Sequence, residues 1–246
     1  MAVKKTSGLG ETLRTVIYAV IIALGVRTFL YEPFNIPSGS MKPTLLVGDF
    51  LFVSKFTYGY SRYSLPLSLP LIEGRVLARD PERGDVAVFK LPADNSTDYI
   101  KRVIGLPGDR IQMRDGILHI NRKPVKRKFQ DVIEVESLTG RFEQKLEYVE
   151  TLPNGRQHLI WETSDQERYD NTPEYLVPPG HFFMMGDNRD SSQDSRVQSK
   201  VGFVPLENMV GRAEFLFFSH DNSARLWEIW RWPEAIRAGR IGNGIQ

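Results

Sequence analysis

The sequence contains no cysteine. That one absence excludes a disulfide framework, a thiolate metal site and a cysteine nucleophile. It does not fix the compartment, since an exported protein with a sizeable core can do without disulfides. Histidine is scarce as well: the 4 residues are His119, His158, His181 and His220. No two stand at metal-ligand spacing, so a transition-metal site is not expected. Charge of one sign is also missing. Lys plus Arg number 32 and Asp plus Glu 30, a net charge of +2. So balanced a chain is not a bulk nucleic-acid binder. What remains is 246 residues, 41% of them hydrophobic, enough for one large or two small globular domains.

Only one long apolar run occurs, TVIYAVIIALGVRTFLY over residues 15–31. Its length is near the lower limit for crossing a bilayer. Lys4, Lys5 and Arg14 precede it, so the positive-inside rule keeps residues 1–14 in the cytoplasm and sends the remainder outward. Arg27, near the far end, can snorkel to the headgroups. A cleaved signal peptide needs small residues shortly after the run, and RTFLYEPF (27–34) offers none. A buried helix of a soluble protein is the plainer alternative. The reading adopted is an uncleaved, single-pass anchor.

After Pro33 the apolar runs shorten. GDFLFVSKF (48–56), GDVAVFKL (84–91), DYIKRVIGL (98–106), VPPGHFFMMGDN (177–188) and MVGRAEFLFFS (209–219) are β-branched or aromatic and bounded by turn residues. In RIQMRDGILHI (110–120), Asp115-Gly116 between two arms predicts a hairpin. The fold expected is mainly β: an antiparallel sheet or folded barrel over residues 32–120 and 176–223, preceded by one transmembrane helix. Residues 121–175 are more polar and predict an inserted β-rich subdomain of solvated hairpins. Residues 224–246 carry three tryptophans and several arginines. They fit a helix at the membrane interface, or an aromatic plug on the core. SLPLSLPL (64–71) reads as an apolar loop.

FNIPSGSMKPTL (34–45) places two serines around a glycine shortly after the anchor. A serine needs a base to become a nucleophile. A triad with His181 and Asp187 is possible on paper, but there is no Gly-x-Ser-x-Gly elbow. A lysine base must be desolvated, because a free lysine titrates near 10.4. Lys101 lies in the apolar strand DYIKRVIGL, on the side of Tyr99 and Val103. Lys42 is nearer to Ser40 in sequence but lies in a loop-like stretch. The residues favour Lys101 over Lys42 without closing the choice.

IPSGSMKPTL, GDFLFVSKFTYG, GDVAVFKLPADNSTDYIKRVIGLPGD and GDNRDSSQDSR, in that order, resemble the bacterial type I signal peptidases. These are membrane-anchored serine endopeptidases with a Ser/Lys dyad. The resemblance covers residues 31–112 and 178–219. It implies Ser40 as nucleophile and Lys101 as general base, which closes the choice left open above. It implies Ser38 as an oxyanion-hole donor beside the Ser40 amide, and Ser192 as the hydroxyl that orients the lysine. Asp194 and Arg196 match a structural ion pair. Phe34, Ile36, Pro37, Met41, Leu45, Val88, Tyr99 and Ile100 fall where the family lines its pockets for small residues. The implied reaction removes signal peptides from exported preproteins after small-x-small sites such as Ala-x-Ala, on the outer face of the cytoplasmic membrane. That face is periplasmic where an outer membrane exists. Implied partners are preproteins, membrane lipid and the secretion translocon, with no nucleic acid. Two rivals stand beside this reading: a soluble, self-cleaving Ser/Lys repressor, and a membrane-tethered β domain that binds peptides without cutting them. Residues 121–175 match no motif.

Overall fold

The computed structural model describes residues 8–136, 142–225 and 227–246. Helix α1 (Gly8–Phe29) begins before the apolar run and ends just short of Leu30. Residues Gly10–Phe29 have a mean hydropathy of 1.5, long and apolar enough to cross a membrane. Only 6% of that window is buried. The alternative of a soluble protein's core helix therefore does not fit.

A single residue separates α1 from strand β1 (Tyr31–Asn35). The joint is tied on both sides: Lys55 N–H donates to Leu30 O at 3.0 Å, and the Tyr60 hydroxyl to Phe29 O at 2.8 Å. The strands that follow are β2 (Asp49–Ser54), β3 (Tyr60–Ser61), β4 (Arg75–Val76), β5 (Val86–Lys90) and β6 (Asp98–Gly105). Then come β7 (Arg110–Arg114), β8 (Ile117–Ile120), β9 (Lys123–Pro124), β10 (Lys126–Glu136), β11 (Phe142–Thr151) and β12 (Gln157–Glu162). The chain closes with β13 (Tyr175–Leu176), β14 (His181–Met185), β15 (Val204–Pro205) and β16 (Met209–Ser219).

The fold is mainly β, as expected. Seven strands form one antiparallel sheet in the order β1-β2-β16-β5-β6-β14-β15. Register shifts along β16 and between Phe183 and Met184 of β14 bend it into a curled half-barrel. Its alternating apolar residues fill two clusters, one around Ile36, Leu45, Leu51, Val88 and Val210, the other around Phe89, Val103, Phe182 and Met184. A second sheet, β13-β7-β8-β9, carries the expected hairpin; Asp115 and Gly116 both have positive φ (48° and 72°), as its two-residue turn demands. A third sheet, β10-β11-β12, forms most of the inserted segment.

The C-terminal segment departs from the expected interfacial helix. Among its described residues it has only a four-residue α-helix, Trp232–Ala235, between two 3-10 turns. Pro233 can start a helix but Gly239 favours ending one, and hydrogen bonds from Asp221 N to Ala235 O and Arg237 N to Ser219 O draw the segment onto the end of β16. Nor is it a plug, since Trp227 and Trp230 are 67% and 71% exposed. Beyond it the chain returns along β16, with Ile245 N–H donating to Glu214 O.

Candidate active site

The first half of β6 has a strand on one side only. β5 pairs with it from Arg102 to Asp98, whereas β14 pairs only with Arg102, Val103 and Gly105. Beside Asp98–Lys101 the sheet edge is open, and the turn after β1 rises to meet it. This turn carries Ser38, Gly39 and Ser40. Asn188 holds it from below: its backbone N–H donates to Ser40 O at 3.1 Å and its side-chain amide to Gly39 O at 3.0 Å. Gly186 permits the approach, because a Cβ there would stand 2.5 Å from Ser40 O and 2.2 Å from Ser192 Oγ.

Lys101 Nζ lies 2.7 Å from Ser40 Oγ and 2.9 Å from Ile100 O. Both side chains are buried, at 4% and 8% exposure. Among the described residues no carboxylate is bonded to the lysine. Burial pushes it down from 10.5 to about 8, against the opposing pull of Asp194 and Asp187. The Tyr99 ring, one alternation away on the same side of β6, has its centroid 5.3 Å from Nζ. Lys42 makes no hydrogen bond to Ser40; its backbone N–H turns back to Gly39 O. His181 bonds to Pro179 O, and Asp187 is engaged by Arg102, so the triad alternative has no geometry behind it.

Ser38 Oγ stands 3.4 Å from Ser40 Oγ, at the exposed lip. Asp194 and Arg196 form a buried pair at 2.9 Å, and Asp194 also accepts from Gly186 N–H at 3.0 Å. Burial opposes ionisation of Asp194, but the Arg196 guanidinium keeps its carboxyl below the ordinary carboxylate range. Ser192 is buried near by, yet the two hydrogen bonds of Lys101 Nζ go elsewhere.

A cavity of about 380 Å³ opens over Ser40 and Lys101. Of the residues expected to line it, Phe34, Ile36, Pro37, Val88, Tyr99 and Ile100 do so, together with Ser38, Ser40 and Lys101. Met41 and Leu45 do not: at 1% and 0% exposure they are sealed in the core beneath the turn. Asn35, Asp98, Ser191 and Gln193 line the cavity and were missed. Asn35 and Asp98 end their strands at its rim, a position that strand alternation alone could have flagged.

Residues 9–218 match the model of the family described as signal peptidase, peptidase S26. The chain belongs to that family. It is 44% identical to the signal peptidase I of Rickettsia typhi and 42% identical to that of Rickettsia conorii, in each case over 93% of this chain and 90% of the relative. A crystal structure of a signal peptidase I from Enterococcus faecalis shares 27% identity, covering 55% of this chain and 97% of that one, with a TM-score of 0.32. The family removes signal peptides from preproteins by serine-protease chemistry and is membrane-anchored. The chain is accordingly a serine endopeptidase, and α1 suits an anchor.

Proposed function

We propose that the chain cleaves exported preproteins after small-x-small sites, with Ser40 as nucleophile and Lys101 as general base. The observation that carries this reading is the 2.7 Å contact between the two side chains, with the lysine buried and unpaired by any carboxylate. Neutral Lys101 takes the Ser40 hydroxyl proton as Oγ attacks the scissile carbonyl. The oxyanion is received by the Ser40 N–H and the Ser38 hydroxyl, donors worth several kcal/mol where charge develops. The protonated lysine then gives its proton to the leaving amine. Water, deprotonated by Lys101, hydrolyses the acyl-enzyme. Ser192 is proposed to orient the lysine once substrate displaces its ground-state bonds, and Asp194 and Arg196 to brace the wall behind it.

The open edge at Asp98–Lys101 suits a substrate that enters as an added strand. The cavity wall of Phe34, Ile36, Pro37, Val88, Tyr99 and Ile100 is apolar and shallow, and admits a methyl group while excluding bulk. Met41 and Leu45 act behind that wall, fixing its depth. We assign α1 as a single span with its N-terminus in the cytoplasm, the sheet on the outer face, and lipid and the secretion translocon as neighbours. The exposed Trp227 and Trp230 are suited to the headgroup region.

The test is cleavage of a preprotein bearing an Ala-x-Ala site by the detergent-purified chain at pH 8.5. Wild type is expected to cut at that site, and Ser40→Ala and Lys101→Met to lose the activity. Cleavage that survives Lys101→Met would remove the lysine from its role. A folded wild type that binds the preprotein and never cuts it would leave the peptide-binding alternative standing.

A further inference from the structure

The chemistry above uses the large sheet and leaves β10–β12 without a task. Yet the surface that this third sheet turns inward is rich in buried charge. Glu150 on β11, 1% exposed, accepts both terminal nitrogens of Arg189, at 2.9 and 2.5 Å. His158 on β12 is 7% exposed. Its Nε2 lies 3.3 Å from Glu150 Oε2 and 3.9 Å from Asp187 Oδ1. The backbone joins in, with Trp161 N–H donating to Asp187 O at 2.9 Å and Thr163 N–H to Asp190 Oδ2 at 2.6 Å.

Buried ion clusters are poor sources of stability, because desolvation offsets most of the attraction, and apolar packing would serve as well. What they supply is direction: each partner is held at one place. Apart from the His158–Glu150 contact within the sheet, each of these ends on Asp187–Asp190. That short segment is also the one that grips the turn of Ser40. Asn188 bonds to Ser40 O and Gly39 O, and Asp187 Oδ2 accepts from the Thr44 hydroxyl at 2.5 Å, on the same turn. Glu150 is thus linked to the nucleophile's turn through Arg189 and its neighbours, and His158 through Asp187.

We infer that the inserted sheet sets the position of the nucleophile, with Glu150 and His158 as positioning residues that hold Arg189 and Asp187 in place beneath the Ser40 turn. This rests on Ser40 being the nucleophile. Neither residue touches the dyad or the cavity.

The test uses the full-length chain in detergent with a preprotein substrate, and reads kcat and KM separately. Glu150→Gln, which keeps the shape and removes the charge, is expected to lower kcat about tenfold, in line with the cost of small misplacements, with KM within about twofold. Thr44→Val cuts the same line of contacts nearer the serine. The double variant is expected to lose less than the product of the two single losses, because both changes break one linkage. Glu150→Asp should recover part of kcat. Phe142→Ser, at an exposed end of the sheet, should change neither constant. Wild-type kcat in Glu150→Gln, or losses that simply multiply, would overturn the inference. If Glu150→Gln does not fold, His158→Gln carries the same expectation. Ser40→Ala separates the two levels: if it stays active the nucleophile itself is wrong, whereas an inactive Ser40→Ala beside a fully active Glu150→Gln sinks only the role of the sheet.

Discussion

Lys101 and Arg102 are consecutive residues of one strand, and both are buried, at 4% and 1% exposure. Strand alternation sends them to opposite sides. On its side Arg102 meets Asp187 through two bonds of 2.8 and 2.7 Å, and it also donates to Gly84 O and Gln246 O. On the other side Lys101 meets a hydroxyl and a carbonyl but no carboxylate. A buried cation with a partner fixes structure; a buried cation without one is driven towards losing its proton. The same strand thus sets two different cations back to back: an arginine, always charged and held by a carboxylate, and a lysine, able to lose its proton and facing none.

Breaking the unpaired side should have the largest effect. Lys101→Met is expected to cut turnover by about 10⁴-fold while the melting temperature holds or rises, measured by cleavage and calorimetry on one preparation. Breaking the paired side should cost stability first. Arg102→Met strands Asp187, and denaturant titration should show a loss of about 3–5 kcal/mol.

Proton linkage sharpens the contrast. Lys101 falls from 10.5 unfolded to about 8 folded. Below pH 8 both states carry the proton and the burial cost is constant; between about 8 and 10.5 the unfolded chain holds more protons, so stability rises with pH. The gain attributable to this group is about 3 kcal/mol, and Lys101→Met should remove it from the pH–stability curve. For the same reason kcat/KM should rise with pH and level off above about 8.

Smaller effects follow. Val88→Ala deepens the cavity wall opposite Ile100 and should relax selectivity at the scissile residue by roughly tenfold, judged by competing substrates with alanine and leucine there. The smallest belongs to a third cation of the same sheet. Lys90 pairs with Asp98 at 2.9 Å beside the solvent, and Lys90→Ala should shift stability by no more than about 0.5 kcal/mol.

Much of this was legible in the sequence. Turn residues punctuated the strands of the large sheet, and the period of two put Lys101 among apolar neighbours. The family resemblance turned that candidate into an assignment. What stayed hidden depends on distance along the chain. β1 does not read as a strand, and its first residue, Tyr31, falls within the apolar run, because a short half-exposed strand directly after a helix has no turn signal to announce it. Glu150 and His158 look like ordinary polar residues of a solvated hairpin until folding brings them to Arg189 and Asp187. Met41 and Leu45 follow Ser40 in a helical-looking turn that points them inward, and no local pattern reveals that.

The joint between α1 and β1 carries a further consequence. Leu30 alone separates helix from strand, and bonds from Lys55 and Tyr60 remove any slack. Ten residues lead from Leu30 to Ser40, at most about 35 Å of extended chain. On the proposed assignment, with α1 embedded in the bilayer and Ser40 as the nucleophile, the joint would act as a ruler. It would measure how far a scissile bond stands out from the lipid, and a perfect recognition sequence at the wrong height would pass by uncut.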